Sequence, residues 1–232
     1  MQFREEVYGI CKIYHQAEDL HAQGIHVISV DEKTGIQALE RIHPTHPAKP
    51  GQVERVEFEY ERHGTQALIA NFEVATGKVI FPTIQETRTE VDFLAHIQQT
   101  VKSKPQDTWI FVADQLNTHK SASLVKWIAQ ECSVTEDLGE KGKAGILHNM
   151  ASRTEFLQDQ SHRIRFIYTP KHCSWLNQVE IWFSILSRRL LKRGHFESTE
   201  QLKTRILKFI TFFNNTLAKP FRWTYIGKPL VV

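Results

Sequence analysis

The sequence is poor in cysteine and has no long apolar run. Its three cysteines, Cys11, Cys132 and Cys173, are scattered and form no CxxC pair, which argues against both a disulfide framework and a zinc knuckle. A membrane-spanning helix needs about 18 consecutive apolar residues, and no such run occurs. The first twenty residues are too charged for a secretory signal. These absences predict a soluble protein with no membrane partner, in a reducing cytoplasm.

Charge is unevenly distributed along the 232 residues, although the net charge is only +3. Residues 1–160 carry 16 Lys and Arg against 23 Asp and Glu, whereas residues 161–232 carry 13 against 3. A basic segment of this kind attracts a phosphate backbone. On charge alone, a solvated helix face explains it equally well. The length suits one domain with its own core.

Hydrophobic periodicity divides the chain into alternating strands and helices. Residues 43–51 hold three prolines and a glycine and predict an exposed loop, and residues 133–155 are interpreted as a polar insertion. The predicted elements, in chain order, are a helix ending near Gly24, a strand at 25–30, two or three antiparallel strands within 53–81 that include Val56, Phe58 and Tyr60 and turn at 63–64 and 76–77, a helix at 88–103, a strand at 109–113, a helix at 120–132, a strand at 164–168, a helix from Ser174 to Arg193, and a helix at 198–216.

Two aspartates directly follow apolar strand segments. Asp31 comes after the strand at 25–30 and is predicted to mark its end before a turn at Lys33-Thr34-Gly35, and Asp114 comes after the strand at 109–113. If these strands lie side by side in parallel, both carboxylates meet at one edge of the sheet. Like charges so close require a cation, and Mg²⁺ prefers carboxylate oxygens. Phosphoryl transfer on DNA uses two such ions about 3.5–4 Å apart.

Glu180 is the candidate for a third ligand, from a helix beside that edge. It lies early in the predicted helix, and Asn177 shares its face three residues before. An acid near a helix N-terminus is also favoured by the helix dipole alone. Taken singly, each of the three acids is more often an ordinary surface or capping residue.

Three segments together resemble the catalytic signatures of bacterial insertion-sequence transposases of the mariner superfamily: VDEKTG, VADQLNTHKS and YTPKHCSWLNQVEIWFSIL. The resemblance spans nearly the whole chain, and the third segment is the most specific. It implies an α/β, RNase H-like fold, with a mixed five-stranded sheet flanked by helices, over one DDE catalytic domain at 1–232. It also implies that Asp31, Asp114 and Glu180 are both the catalytic residues and the ligands of two Mg²⁺ or Mn²⁺ ions.

The chain departs from the pattern of that superfamily in three ways. Gln115 stands where the family often has Asn, and the stretch between Asp114 and Glu180 is longer than usual, which the insertion at 133–155 explains. The N-terminal helix-turn-helix region of the family is expected to be absent. The expected partner is double-stranded DNA, as element ends and target, with a homodimer left open. The expected location is the cytoplasm of a bacterium, at the nucleoid.

Several further residues are candidates for supporting roles. His119 would contact a phosphate or orient a water at the metal, with a structural histidine as the alternative, and Asn117 and Asn177 would support the ligands. A metal role for His172 and Cys173 is weak, and His43 and His46 are expected at the surface. Trp175 and Trp182 are interpreted as core residues, with contact to a splayed nucleotide as an alternative for Trp175. The basic residues predicted to follow DNA phosphates are Arg188, Arg189, Lys192, Arg193, Lys203 and Lys208.

The leading hypothesis is a transposase catalytic domain that cleaves and transfers DNA strands with metal ions. One alternative is an RNase H-like nuclease that only hydrolyses DNA. Another is a truncated, inactive DNA-binding relic, which the presence of all three acids disfavours.

Overall fold

The computed structural model describes residues 2–43, 47–55 and 59–227. Its strands are β1 Ile25–Arg41, β2 Tyr60–Glu73, β3 Lys78–Gln85, β4 Thr108–Ala113 and β5 Ile164–Tyr168. Its α-helices are α1 Gln2–His15, α2 Ala17–Ala22, α3 Glu90–Lys102, α4 Ala122–Glu131, α5 Met150–Gln158, α6 Gln178–Leu186 and α7 Thr199–Thr216. Short 3₁₀ segments cover Asn117–Lys120 and Ser174–Leu176, and a π-helical turn covers Ser187–Leu191.

The five strands form one mixed sheet in the order β3-β2-β1-β4-β5. β1, β2 and β3 pair antiparallel, whereas β4 and β5 run parallel to β1. Residues of α3, α4 and α5 form a core with one face of the sheet, and residues of α6 and α7 form a second core with the other. The predicted mixed five-stranded sheet flanked by helices is therefore confirmed. None of the described helices has the length and apolar character needed to cross a bilayer.

The first strand does not end at Asp31, and that prediction is wrong. β1 continues to Arg41 and pairs with β2 along its second half, where Ile36 and Ala38 are buried. The pairing register shifts by one residue between Lys33 and Ile36, and Gly35 adopts a φ of 63° there. A glycine with positive φ is typical of a β-bulge as well as of a turn, which is why the sequence pattern misled.

A second predicted turn, at His63-Gly64, is also a bulge inside a strand. The pairing register between β1 and β2 shifts again at these two residues of β2, and Gly64 has a φ of 118°. The predicted turn at 76–77 is confirmed between β2 and β3. The predicted strand residues Val56 and Phe58 lie outside the described part of the chain.

Three helical predictions need adjustment. The N-terminal helix divides into α1 and α2. The stretch 133–155 is not purely a polar insertion, because α5 begins at Met150 and Leu147 is buried in the core beside it. The helix predicted from Ser174 to Arg193 begins at Gln178 instead, with Asn177 at the N-cap, and passes into the π-helical turn after Leu186. The helix at 88–103, the strands at 109–113 and 164–168 and the helix at 198–216 are confirmed.

A buried histidine on α3 predicts acid sensitivity of the fold. His96 is 1% exposed, its Nδ1 lies 2.8 Å from the Thr83 hydroxyl, and burial lowers its pKa to about 3. The imidazole of His96 binds a proton more readily in the unfolded chain than in the folded one. Folding stability from the neutral His96 is therefore complete above the ordinary histidine pKa and is lost as pH falls below it. We expect His96 to account for a loss of about 2 kcal/mol in unfolding free energy between about pH 7 and pH 5.

Urea unfolding at the two pH values, on wild type and on His96→Gln, measures this contribution. The variant is expected to lose less stability than wild type on acidification. An equal loss in both proteins would contradict the assignment.

Candidate active site

Asp31 on β1 lies opposite Asp114, the first residue after the neighbouring parallel strand β4. The register of β1 and β4 pairs Ile25 with Thr108 through Ser29 with Val112, so continuing it by two residues places Asp31 opposite Asp114. Asp31 is 7% exposed, whereas the side chain of Asp114 is 38% exposed. The parallel arrangement predicted for these strands is thus present, although β1 continues beyond the site.

The two carboxylates repel each other. Burial, and then the charge of Asp114, raise the pKa of Asp31 to about 7. For Asp114, burial acts in the same direction, but the hydrogen bond and the charge of His119 outweigh it and lower the pKa. The pair is therefore an acidic site with one well-stabilised carboxylate and one whose charged form is disfavoured by burial and by its neighbour.

His119 is fully buried between two acids. Its Nδ1 lies 2.8 Å from Asp114 Oδ1, and its Nε2 lies 3.1 Å from both oxygens of Glu32, whose side chain is 1% exposed. Burial alone would lower the pKa of His119, but these two acids raise it to about 10. With both ring nitrogens engaged, His119 orients Asp114 and has no free nitrogen for a phosphate.

Asn177 connects Asp31 to the start of α6. Its side chain is fully buried, and Nδ2 donates to the carbonyl of Val30 at 3.0 Å and to Asp31 Oδ2 at 3.2 Å. Its Oδ1 accepts the hydroxyl proton of Ser29, whose oxygen in turn accepts the backbone N–H of Val179 at 2.8 Å. These bonds attach the helix N-terminus to β1 beside the aspartate.

Glu180 is the third residue of α6 and is partly exposed. Its backbone N–H donates to the carbonyl of Asn177 at 3.1 Å, so it lies one turn from the residue that contacts Asp31. The structure does not bring the ligand atoms of Asp31, Asp114 and Glu180 within 4.8 Å of one another. Two of the predicted ligands are adjacent, and the third lies on the helix attached to them.

Sequence reasoning missed Glu32, Ser29 and Lys120. Successive side chains of a strand point to opposite faces, so the pair Asp31-Glu32 could have indicated that the second acid lies on the other face of the sheet, where it contacts His119. Lys120 is 5% exposed, and its Nζ donates to Gln115 Oε1 at 3.2 Å. No signal in the sequence distinguished it from a surface lysine.

The predicted DNA-contacting residues are all at least partly exposed, but they do not form one cluster. Arg188 and Lys192 line a groove together with Lys33, two residues beyond Asp31 on β1. Arg188 and Arg189 line a second groove against the end of α7. The remaining three line neither groove: Arg193 pairs with Glu54 at 3.4 Å, and Lys203 and Lys208 lie on α7.

The minor candidates fall in different environments. Asn117 is exposed, and its side chain has no described partner near the acids. Trp182 is fully buried as predicted, whereas Trp175 is 51% exposed and rests edge-on against Tyr225, so the prediction of a core role for Trp175 is wrong. Among the described residues, neither His172 nor Cys173 joins a group of three metal-ligating side chains. His43 is exposed, and His46 lies outside the described residues.

Comparison with solved structures finds the same fold in Mos1 transposase. The catalytic domain of Mos1 mariner transposase is 13% identical with a TM-score of 0.53, covering 100% of this chain and 97% of that one. The Mos1 paired-end complex with left transposon end is 13% identical (TM-score 0.55; 96% and 57% covered), and the Mos1 mariner paired-end complex with Mn is 14% identical (TM-score 0.55; 100% and 64% covered). The chain thus spans about 60% of the Mos1 chains in those complexes.

At this level of identity the likeness shows an α/β, RNase H-like fold. Comparison with curated proteins found no match. The family model described as DDE superfamily endonuclease matches residues 26–203, a range that contains Asp31, Asp114 and Glu180. The chain therefore belongs to the DDE superfamily endonucleases.

Proposed function

We propose that this chain is the catalytic domain of a cut-and-paste DNA transposase, in which Asp31, Asp114 and Glu180 hold two divalent metal ions. The observation that carries the proposal is the position of Asp31 opposite Asp114, where β1 and β4 run parallel and β4 ends, beside a helix that Asn177 attaches to Asp31 and that carries Glu180. Carboxylates from different elements at one edge of a sheet are typical of a site for phosphoryl transfer.

The donor set fits Mg²⁺ or Mn²⁺. All three proposed ligands offer hard oxygen atoms, and the mutual repulsion of Asp31 and Asp114 favours a cation between them. When bound, two such ions would activate the attacking oxygen and stabilise the leaving oxygen. The solved Mos1 paired-end complex with Mn is consistent with this choice of metal. The number of ions and their identity are part of the proposal.

The protein's own groups hold the acids in place before any substrate binds. His119 and the Leu116 N–H both bond to Asp114 Oδ1, at 2.8 and 2.9 Å. Asn177 and the Glu32 N–H hold the two oxygens of Asp31 in the same way. Such preorganisation reduces the cost of arranging the reacting groups.

DNA is the proposed substrate and partner, as both element ends and target. Lys33, two residues after Asp31 on β1, lines a groove together with Arg188 and Lys192. The phosphate backbone of DNA bound in this groove would therefore pass close to the acids. The proposal includes a bacterial insertion sequence as the source, the nucleoid as the place of action and a homodimer as the assembly on DNA.

A cleavage assay tests the proposal. The purified protein is incubated with DNA that carries the inverted repeats flanking its gene, with Mg²⁺ or Mn²⁺. Cut element ends joined to a second DNA molecule are the expected products. Cleavage without joined products would favour the hydrolytic nuclease, and DNA binding without any cleavage would favour the inactive relic.

The basic groove supports a second prediction, on salt dependence. Arg188→Ala with Lys192→Ala removes two phosphate-facing charges, so we expect weaker DNA binding and a fall of about 2 in the slope of log affinity against log salt concentration. Fluorescence anisotropy with labelled duplex DNA at several salt concentrations measures it. Lys126→Ala, an exposed lysine on α4, is the matched control. An unchanged slope in the double variant would place the DNA elsewhere.

A further inference from the structure

A second group of metal-ligating side chains lies at the opposite end of the sheet from the acids. His21 on α2, His26 near the start of β1 and Glu73 at the end of β2 each offer an atom within 4.8 Å of the others. Because β2 runs antiparallel to β1, its last residue meets the beginning of β1, before the strand reaches Asp31. The cluster is therefore separate from the proposed catalytic site.

The distances from the two imidazoles to Glu73 are close to those of a tetrahedral site, and all three atoms lie within 4.8 Å of one another. Ligand atoms bound at about 2.0–2.1 Å in a tetrahedron lie about 3.3 Å apart. His21 Nε2 lies 3.5 Å from Glu73 Oε1, and His26 Nδ1 lies 2.8 Å from the same oxygen. The second pair has to separate by about half an ångström to admit an ion.

The groups behind the ligands already have the arrangement that a metal site requires. His26 Nε2 lies 2.9 Å from Asp107 Oδ2, so the ring can donate there while Nδ1 faces Glu73. The other oxygen of Glu73 accepts the Thr76 hydroxyl at 2.6 Å. Histidine ligands typically donate their second nitrogen to a carboxylate in this way, which fixes the ring and its tautomer.

Burial also favours a specific site over a chance surface cluster. His26 is 2% exposed and stacks on Trp109 with ring centroids 4.3 Å apart, and Glu73 is 7% exposed. His21 is the outer member, with a side chain 32% exposed, and leaves a route for an ion. A second described group of three, Glu40, Glu61 and His63, is more exposed and has a single imidazole.

We propose that His21, His26 and Glu73 form a structural site for a divalent transition-metal ion, with Zn²⁺ as the probe. Two imidazoles and one carboxylate suit zinc, and water would complete the tetrahedron, whereas Mg²⁺ prefers an all-oxygen set. On binding, the ion takes the lone pair of His26 Nδ1, and any proton there is released to solvent. The bound ion would tie α2 to the ends of β1 and β2.

Zinc binding by Asp114→Asn tests this site with the proposed catalytic centre disabled. After dialysis against limiting Zn²⁺ with excess Mg²⁺, we expect one more zinc per chain in Asp114→Asn than in Asp114→Asn with His21→Gln. We also expect zinc to raise the Tm by about 5 °C only where His21 is intact. Equal zinc content and equal Tm shifts in the two proteins would overturn the proposal.

Two further variants complete the comparison. His63→Gln alters the other three-residue group and should keep the full zinc content. Glu73→Gln removes the ligand from β2 and should lose it, which supports the site even if His21→Gln proves unstable. Zinc loss in His63→Gln with retention in Glu73→Gln would place the ion elsewhere. None of these readouts depends on DNA cleavage, so they stand apart from the proposed transposase function.

Discussion

Replacing Asp114 by asparagine is expected to slow DNA cleavage severely while the fold remains intact. The asparagine side chain has nearly the same volume, and its oxygen can still accept from the Leu116 N–H and from His119, so the loop after β4 keeps its hydrogen bonds. The change removes one of the charges proposed to hold the metal ions. Since a catalytic metal contributes several kcal/mol to transition-state stabilisation, we expect the cleavage rate to fall by about three powers of ten.

The rate of cutting of element-end DNA with saturating Mg²⁺ measures this effect, and Tm and circular dichroism verify folding. Glu136→Gln, at an exposed acid outside the site, is the matched control and should cleave at the wild-type rate. Cleavage by Asp114→Asn close to that rate would refute its role as a ligand. DNA binding without metal should not weaken, because the variant removes a negative charge.

Replacing Asn177 by alanine is expected to have the largest effect on stability. The substitution removes a donor from the carbonyl of Val30 and from Asp31, and it leaves the hydroxyl proton of Ser29 without its acceptor. Each buried polar group left without a bond costs about 1–3 kcal/mol, so we expect the unfolding free energy to fall by about 2–4 kcal/mol. Cleavage should also decline, because the start of α6 and Glu180 lose their attachment to β1.

Urea unfolding compares Asn177→Ala with Asn215→Ala, at an exposed asparagine on α7. The control should change the unfolding free energy by less than about 0.5 kcal/mol. A comparably small change in Asn177→Ala would show that the hydrogen bonds around Ser29 and Asp31 contribute little to the fold.

The strands of the sheet were predictable in its parallel half and less so in its antiparallel half. β4 and β5 are short apolar runs whose limits are set by hydrophobicity, and both were predicted correctly. The long strands β1 and β2 each contain a bulge at a glycine, and a single chain segment does not distinguish a bulge from a turn. Only the partner strand decides between them, because its hydrogen bonds continue the ladder on the far side.

The candidate catalytic acids were likewise predictable from sequence only in part. The placement of Asp31 and Asp114 after apolar strand segments followed from local sequence, since strand periodicity is a local property. Their mutual register, the burial of Glu32 and the bonds of Asn177 depend on contacts between residues far apart in the chain. The cluster of His21, His26 and Glu73 likewise arises only because an antiparallel strand returns to the start of β1.

Sequence alone thus determined the class of fold, the three candidate acids and the basic C-terminal third, because hydrophobic period, strand-end acids and charge are carried by neighbouring residues. The tertiary structure decided which oxygens face each other, which histidine is a buried partner of Asp114, and which basic residues share a groove with β1. Those relations are set by strand pairing and helix packing, which join side chains that no local pattern connects.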